Sequence, residues 1–188
     1  NKIRDEISNI TRSPSNVLKN AFYGAYSQKK YRNYNRIVEW MHCFRVFKEM
    51  RNCYMHNGSI ADSDLLDAYS DYLPYATISN LGVKEVPQLP PPRKDDPIDI
   101  SLRGVVGFSF IMLRIILSVD AELLCAYEAE KEFLERFEFS HPMVRTLKSD
   151  INGARKQVEQ YVRQCGFPTP KNPDEMKNFL LSQHLVSI

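Results

Sequence analysis

Arg51, Asn52 and His56 place a guanidinium, an amide and an imidazole inside one hexad, Arg51-Asn52-Cys53-Tyr54-Met55-His56, followed at once by Asn57-Gly58. On a helix, Asn52 and His56 are four apart and share a face. Arg51 then stands about 100° round the axis from Asn52. These residue types suit RNA cleavage. An imidazole exchanges protons near neutral pH, so it can serve the 2′-hydroxyl and the departing 5′-oxygen. An arginine can fork two oxygens of a phosphate as it becomes pentacoordinate. An amide can orient the phosphate or the imidazole ring. The scheme calls for no metal and no cofactor.

Competing chemistries fit the spacing less well. Cys53 and His56 are three apart, and His42-Cys43 lies earlier on the same stretch. One straight helix cannot close both pairs on a single zinc ion. There is no nucleophile elbow and no glycine-rich phosphate loop. Taken singly, Arg51 reads as an ion-pair partner for another helix, His56 as a residue of a helix end, and Tyr54 and Met55 as packing.

The elements around the hexad read as helices. Ile37, Trp40, Met41, Phe44 and Phe47 follow helical spacing, and the same count reaches Arg51 four residues later. The apolar stripe thus runs into a charge, which points to a polar cleft opening there. Asn57-Gly58 is a helix stop, with Gly58 suited to a left-handed cap. Upstream, Ile3, Ile7 and Ile10 mark an amphipathic lead-in helix, and a second helix is predicted from Ser15 to about Gln28. The segment after it interleaves Lys29, Lys30, Arg32 and Arg36 with Tyr31 and Tyr34. This segment is either an RNA-binding patch, with tyrosines stacking on bases, or a solvated loop.

Downstream, Ser63 can cap a short helix over Asp64 to Tyr72. The proline-rich stretch 83–100 is either a short β-hairpin or an extended loop. A strongly apolar helix starts at Ser101 or Leu102 and is predicted to run to about Phe137. It is apolar nearly all round at first, as at the centre of a bundle. Of its arginines, Arg103 or Arg114 is placed to reach the cleft. Further helices are predicted over Met143 to Cys165 and from Pro173 to near His184. The fold class is all-α, and the chain divides as a lead-in helix (1–12), a bundle (13–138) and a C-terminal helical extension (139–188).

Composition narrows the function classes. The chain has 188 residues, 43% of them hydrophobic, which is enough for one sizeable core. A net charge of +2 excludes a protein that coats nucleic acid through overall positive charge, and permits a local basic site. The four cysteines form no C-x-x-C pair and read as reduced thiols of a cytoplasmic protein. The chain opens on Asn1, not Met, which reads as a start that is missing or processed. The longest apolar run, Gly104 to Val119, carries Arg114 at its centre. It reads as a buried helix, with no membrane association.

Arg51-Asn52-x-x-x-His56 resembles the R-x4-6-H motif of the HEPN superfamily, in the R-N-x-x-x-H form of prokaryotic toxins and antiviral effectors. The resemblance covers about residues 13–138: a helical bundle, the motif at the end of a long Trp/Phe-rich helix, and a strongly apolar later helix. It implies a HEPN-like bundle that forms a homodimer and brings two motifs into one cleft. It also implies metal-independent endoribonuclease activity on single-stranded RNA, with Arg51, Asn52 and His56 as the catalytic set. An antitoxin or sensor protein is the expected partner. Some toxin members continue the motif as H-x-Y, where a partner modifies the tyrosine; the corresponding position here is Gly58. The alternatives are a HEPN-like RNA-binding or assembly module without cleavage, and a structural helical adaptor.

Overall fold

The computed structural model describes residues 2–23 and 31–188. The chain is all-α with one minute sheet. Among the described residues its helices are α1 (Lys2–Ile10), α2 (Asn16–Leu18), α3 (Ile37–His56), α4 (Ser63–Tyr72), α5 (Ile78–Leu81), α6 (Leu102–Leu123), α7 (Tyr127–Ser140), α8 (Ile151–Gln164) and α9 (Pro173–Ser182). Strands β1 (Arg145–Thr146) and β2 (Val186–Ser187) pair in parallel. Two compact units form: one from residues 33–118, the other from residues 2–32 with 119–188.

In the unit of residues 33–118, α3 is the long element. A 3-10 turn over Tyr34–Arg36 leads into it, capped by the Asn33 side chain, which accepts from the Asn35 N–H. Ile37, Trp40, Cys43, Val46, Met50 and Cys53 are buried. This corrects the stripe expected from the sequence. Met41 and Phe44 are only half-buried and Arg51 is exposed. The Trp40 indole N–H donates to the Leu81 carbonyl at 2.9 Å. Phe47 stacks on Phe108 with ring centroids 5.2 Å apart. Asp62, not Ser63, caps α4, accepting from the Leu65 N–H at 2.9 Å.

Residues 83–100 take the extended-loop alternative. No hairpin forms there; instead the loop runs back along residues 59–61. Ile98 N–H donates to Ser59 O (2.8 Å), Ala61 N–H to Asp96 O (2.9 Å) and Asp95 N–H to Ala61 O (3.0 Å). Gly104 and Gly107 of α6 let this loop press onto the helix. A Cβ at Gly107 would stand 3.0 Å from Cα of Pro87, and one at Gly104 would collide with the backbone oxygen of Gln88.

Helix α6 is two-faced, which corrects the expectation of a central, fully buried helix. Phe108, Ile111, Arg114, Ile115 and Ser118 are buried, whereas Leu102 (80%), Val106, Phe110, Leu113 and Ile116 are exposed. By length and composition alone, α6 is long and apolar enough to cross a membrane. Its buried arginine lies over the Trp40 ring, 5.8 Å from the centroid.

The unit of residues 2–32 and 119–188 has its own core. Ser15 caps α2, accepting from the Leu18 N–H at 3.0 Å, and the chain tightens through a π turn at Lys19–Tyr23. Leu18, Phe22, Phe133, Phe137, Val158 and Leu180 form the centre of the core. The predicted continuous helix from 102 to 137 is broken at residues 124–126. There Cys125 O accepts from the Ser15 N–H (2.9 Å) and Ser13 O from the Tyr127 N–H (3.0 Å), so this backbone pairs with the Ser13–Ser15 segment. The helix predicted to begin at Met143 begins at Ile151, capped by Asp150. Residues 145–146 are extended because they pair with β2. Residues 119–138 thus pack with residues 139–188.

Candidate active site

Helix α3 carries all three residues of the hexad that suit chemistry. Its last turn contains Cys53, which is buried, so the helix end is held by packing from one side. His56 is the last helical residue and is exposed. The stop beyond it is made by the backbone. Asn57 and Ser59 N–H groups both donate to Cys53 O, at 3.0 and 3.1 Å. Gly58 and Ser59 are left-handed, with φ of 60° and 66°. Gly58 therefore occupies the conformation expected of it, one that glycine adopts without steric cost.

Arg51 and His56 make no hydrogen bond or ion pair among the described residues, and both side chains are exposed. Asn52 is half-buried, and its Nδ2 donates to Glu49 Oε2 at 2.8 Å. The other carboxylate oxygen of Glu49 accepts from Lys48 Nζ at 3.0 Å. The Glu49 side chain is only 13% exposed. Burial works to raise its pKa, but hydrogen bonds from Lys48 and Asn52, with the charges of Lys48 and Arg45, outweigh burial and hold it below the usual carboxylate value. Nothing about the hexad itself announces Glu49. The available signal is its position three residues before Asn52, on the same helix face.

The cleft near the helix end, about 240 Å³, is lined by residues including Met50, Leu65, Leu89, Pro92, Pro97 and Ile98, and by none of the three candidates. It lies on the buried side of α3, whereas Arg51, Asn52 and His56 point elsewhere. By helical geometry Arg51 and His56 are five residues, about 140°, apart around the axis. Tyr54 and Met55 do not pack as expected. Tyr54 is 40% exposed and Met55 62% exposed. The Tyr54 hydroxyl donates to Ile98 O at 2.9 Å and so ties the helix end to the proline-rich loop.

Lys29 and Lys30 lie outside the described residues. Arg32 is half-buried and belongs to one unit, and Arg36 belongs to the other. Arg36 donates from Nη1 to Ser79 O and, at 2.7 Å, to Asn80 O. A guanidinium on the last carbonyls of α5 is a favourable structural arrangement. Arg103 is exposed and pairs with Glu85 at 2.5 Å. Arg114 is buried against Trp40.

His42, His141 and the thiols have structural surroundings. His42 stacks on Tyr75 at 4.7 Å, and His141 is buried against Phe137 and Tyr161. All four cysteines are free and buried. Burial pushes the Cys43 thiol up to about 12, against a smaller opposite effect of the Tyr72 hydroxyl. Burial also raises Cys53. Among the described residues, no three His, Cys, Asp or Glu side chains are grouped to hold a metal ion. No protein-family model, curated protein or solved structure matches the chain.

Proposed function

We propose that this chain is a HEPN-type endoribonuclease. It cleaves single-stranded RNA without a metal, as a cytoplasmic homodimeric toxin or antiviral-defence effector restrained by an antitoxin or sensor protein. The observation that carries the reading is the division of labour in the last two turns of α3. Met50 and Cys53 are buried and hold the helix, while Arg51 and His56, between and beyond them, are exposed. Neither makes a hydrogen bond or ion pair among the described residues, so both are available to a ligand.

In this reading His56 takes the proton of the ribose 2′-hydroxyl. The 2′-oxygen forms a bond to phosphorus and the P–O5′ bond breaks. The 5′-oxygen takes a proton from a protonated imidazole, that of His56 or of its copy across the dimer, leaving a 2′,3′-cyclic phosphate and a 5′-hydroxyl. Arg51 holds the non-bridging oxygens as negative charge concentrates on them. Arg51 and His56 diverge by about 140° on one helix. A second copy of the motif would supply the missing half, which supports a dimeric site. The test is incubation of the protein with single-stranded RNA in EDTA. Cleavage with cyclic-phosphate ends is expected, and a 2′-deoxy substitution at the scissile nucleotide should block it. Cutting of the 2′-deoxy substrate would refute internal attack.

One observation favours the second reading, an RNA-binding or assembly module without cleavage. The outer face of α6 exposes Leu102, Val106, Phe110, Leu113 and Ile116, and contiguous apolar surface of this kind marks interaction sites. That reading predicts RNA affinity or assembly without products.

A further inference from the structure

Asn52 offers a substrate both a donor and an acceptor, and its neighbour decides which one matters. A carboxylate near neutral pH only accepts hydrogen bonds. The 2.8 Å contact between Asn52 Nδ2 and Glu49 Oε2 therefore sets the amide with its nitrogen towards Glu49. Lys48 holds the other Glu49 oxygen at 3.0 Å, so the carboxylate is tied from both sides. The Glu49 side chain is 13% exposed, which limits the rotamers open to it.

Two consequences follow. The Asn52 carbonyl oxygen is left as the outward acceptor. The donor end sits beside a negative charge, which disfavours a phosphate there by like-charge repulsion. Arg51, about 100° round the axis, carries no such neighbour among the described contacts and is the better phosphate ligand. On the Asn52 face, His56 lies one turn on, at i+4. His56 makes no hydrogen bond among the described residues, so its ring N–H is free to turn towards the outward carbonyl.

We propose that Glu49 is a positioning residue of the site. It holds Asn52 as a hydrogen-bond acceptor that orients the His56 imidazole, leaving phosphate binding to Arg51. This rests on the ribonuclease reading above. Glu49 acts through Asn52 and His56 and does not touch the reacting atoms.

The experiment is a double-mutant cycle on RNA cleavage in EDTA, with kcat and KM measured for the wild type, Glu49→Ala, Asn52→Ala and the double variant. Glu49→Ala should lower kcat on the order of ten- to a hundredfold, with KM nearly unchanged, because phosphate binding does not depend on it. In the Asn52→Ala background the same change should have little further effect. Asn52→Asp, which keeps an acceptor, should retain more activity than Asn52→Ala. Glu49→Gln can still accept from Asn52 but not satisfy Lys48 at the same time, so it should lose less than Glu49→Ala, and it carries the test should the alanine variant fold poorly. Wild-type kcat in both Glu49 variants, or losses that multiply in the double variant, would overturn the positioning role while the nuclease reading stands. A wild type that does not cleave, or a His56→Ala variant that cleaves normally, would remove the nuclease reading and this role with it.

Discussion

Replacing Gly104 with alanine should destabilise the unit of residues 33–118, although alanine is the better helix former. In a helix interior the change from glycine to alanine gains roughly 0.5–1 kcal/mol. Gly104 sits in the first turn of α6, where Ser101 Oγ already accepts its N–H at 3.0 Å, so the gain lies at the low end. Against it, an added Cβ would stand under 3.0 Å from Gln88 O and 3.2 Å from Ile100 Cγ1. The first of these atoms is backbone and cannot swing aside as a side chain would. Forcing one methyl group into such a contact typically costs about 1–3 kcal/mol. The net expectation is a loss of about 0.5–2.5 kcal/mol. The assay is urea unfolding followed by fluorescence of Trp40, the single tryptophan, which is fully buried in this unit. Gly107→Ala, whose Cβ would meet Pro87 at 3.0 Å, should act in the same direction and less strongly. A Gly104→Ala protein as stable as the wild type would refute the close packing of the proline-rich loop on α6.

Three further outcomes are expected. The four buried thiols should resist a thiol reagent at pH 8 in the native protein and react together in urea. Burial holds Cys43 near 12 and Cys125 and Cys165 near 11, so little thiolate is present; rapid native reaction of all four would contradict their burial. Arg36→Ala should lower the urea midpoint by removing the bonds to Ser79 O and Asn80 O, and an unchanged midpoint would show that those carbonyls need no guanidinium. Glu49 has a depressed folded-state pKa, so its stabilising effect is present above the unfolded value, near 4.3, and is lost as pH falls through the folded value. The stability difference between wild type and Glu49→Gln should accordingly be seen at pH 7 and fade in acid, and a difference that grows below pH 4 would reverse the sign of the argument.

Helix α3 was legible in the sequence because its periodicity, its Asn57-Gly58 stop and its length agree with one another. Which side of it faces inward was not. Counting large apolar residues selected Met41 and Phe44, whereas the buried line runs from Ile37 and Trp40 through Cys43, Val46, Met50 and Cys53. That rotation moved Arg51 from the end of a core stripe to the surface. The break at residues 124–126 was hidden for a different reason. No proline or glycine marks it, and its cause is backbone pairing with residues more than a hundred positions earlier. The extended start of the segment before α8 is likewise due to a partner strand at the far end of the chain. At the candidate site, the types and spacing of Arg51, Asn52 and His56 were legible. The orientation of Asn52 was not, since it depends on a Glu49 side chain whose burial only the folded helix reveals.

The most direct test of the account is the effect of His56→Ala on cleavage of single-stranded RNA in EDTA. His56 is exposed and makes no hydrogen bond among the described residues, so the substitution should change stability by no more than about 0.5 kcal/mol. Loss of the general base should cost on the order of a hundred- to ten-thousandfold in rate. The account predicts a variant with the wild-type unfolding midpoint and no detectable cleavage, and a folded variant that cuts RNA at the wild-type rate would contradict it.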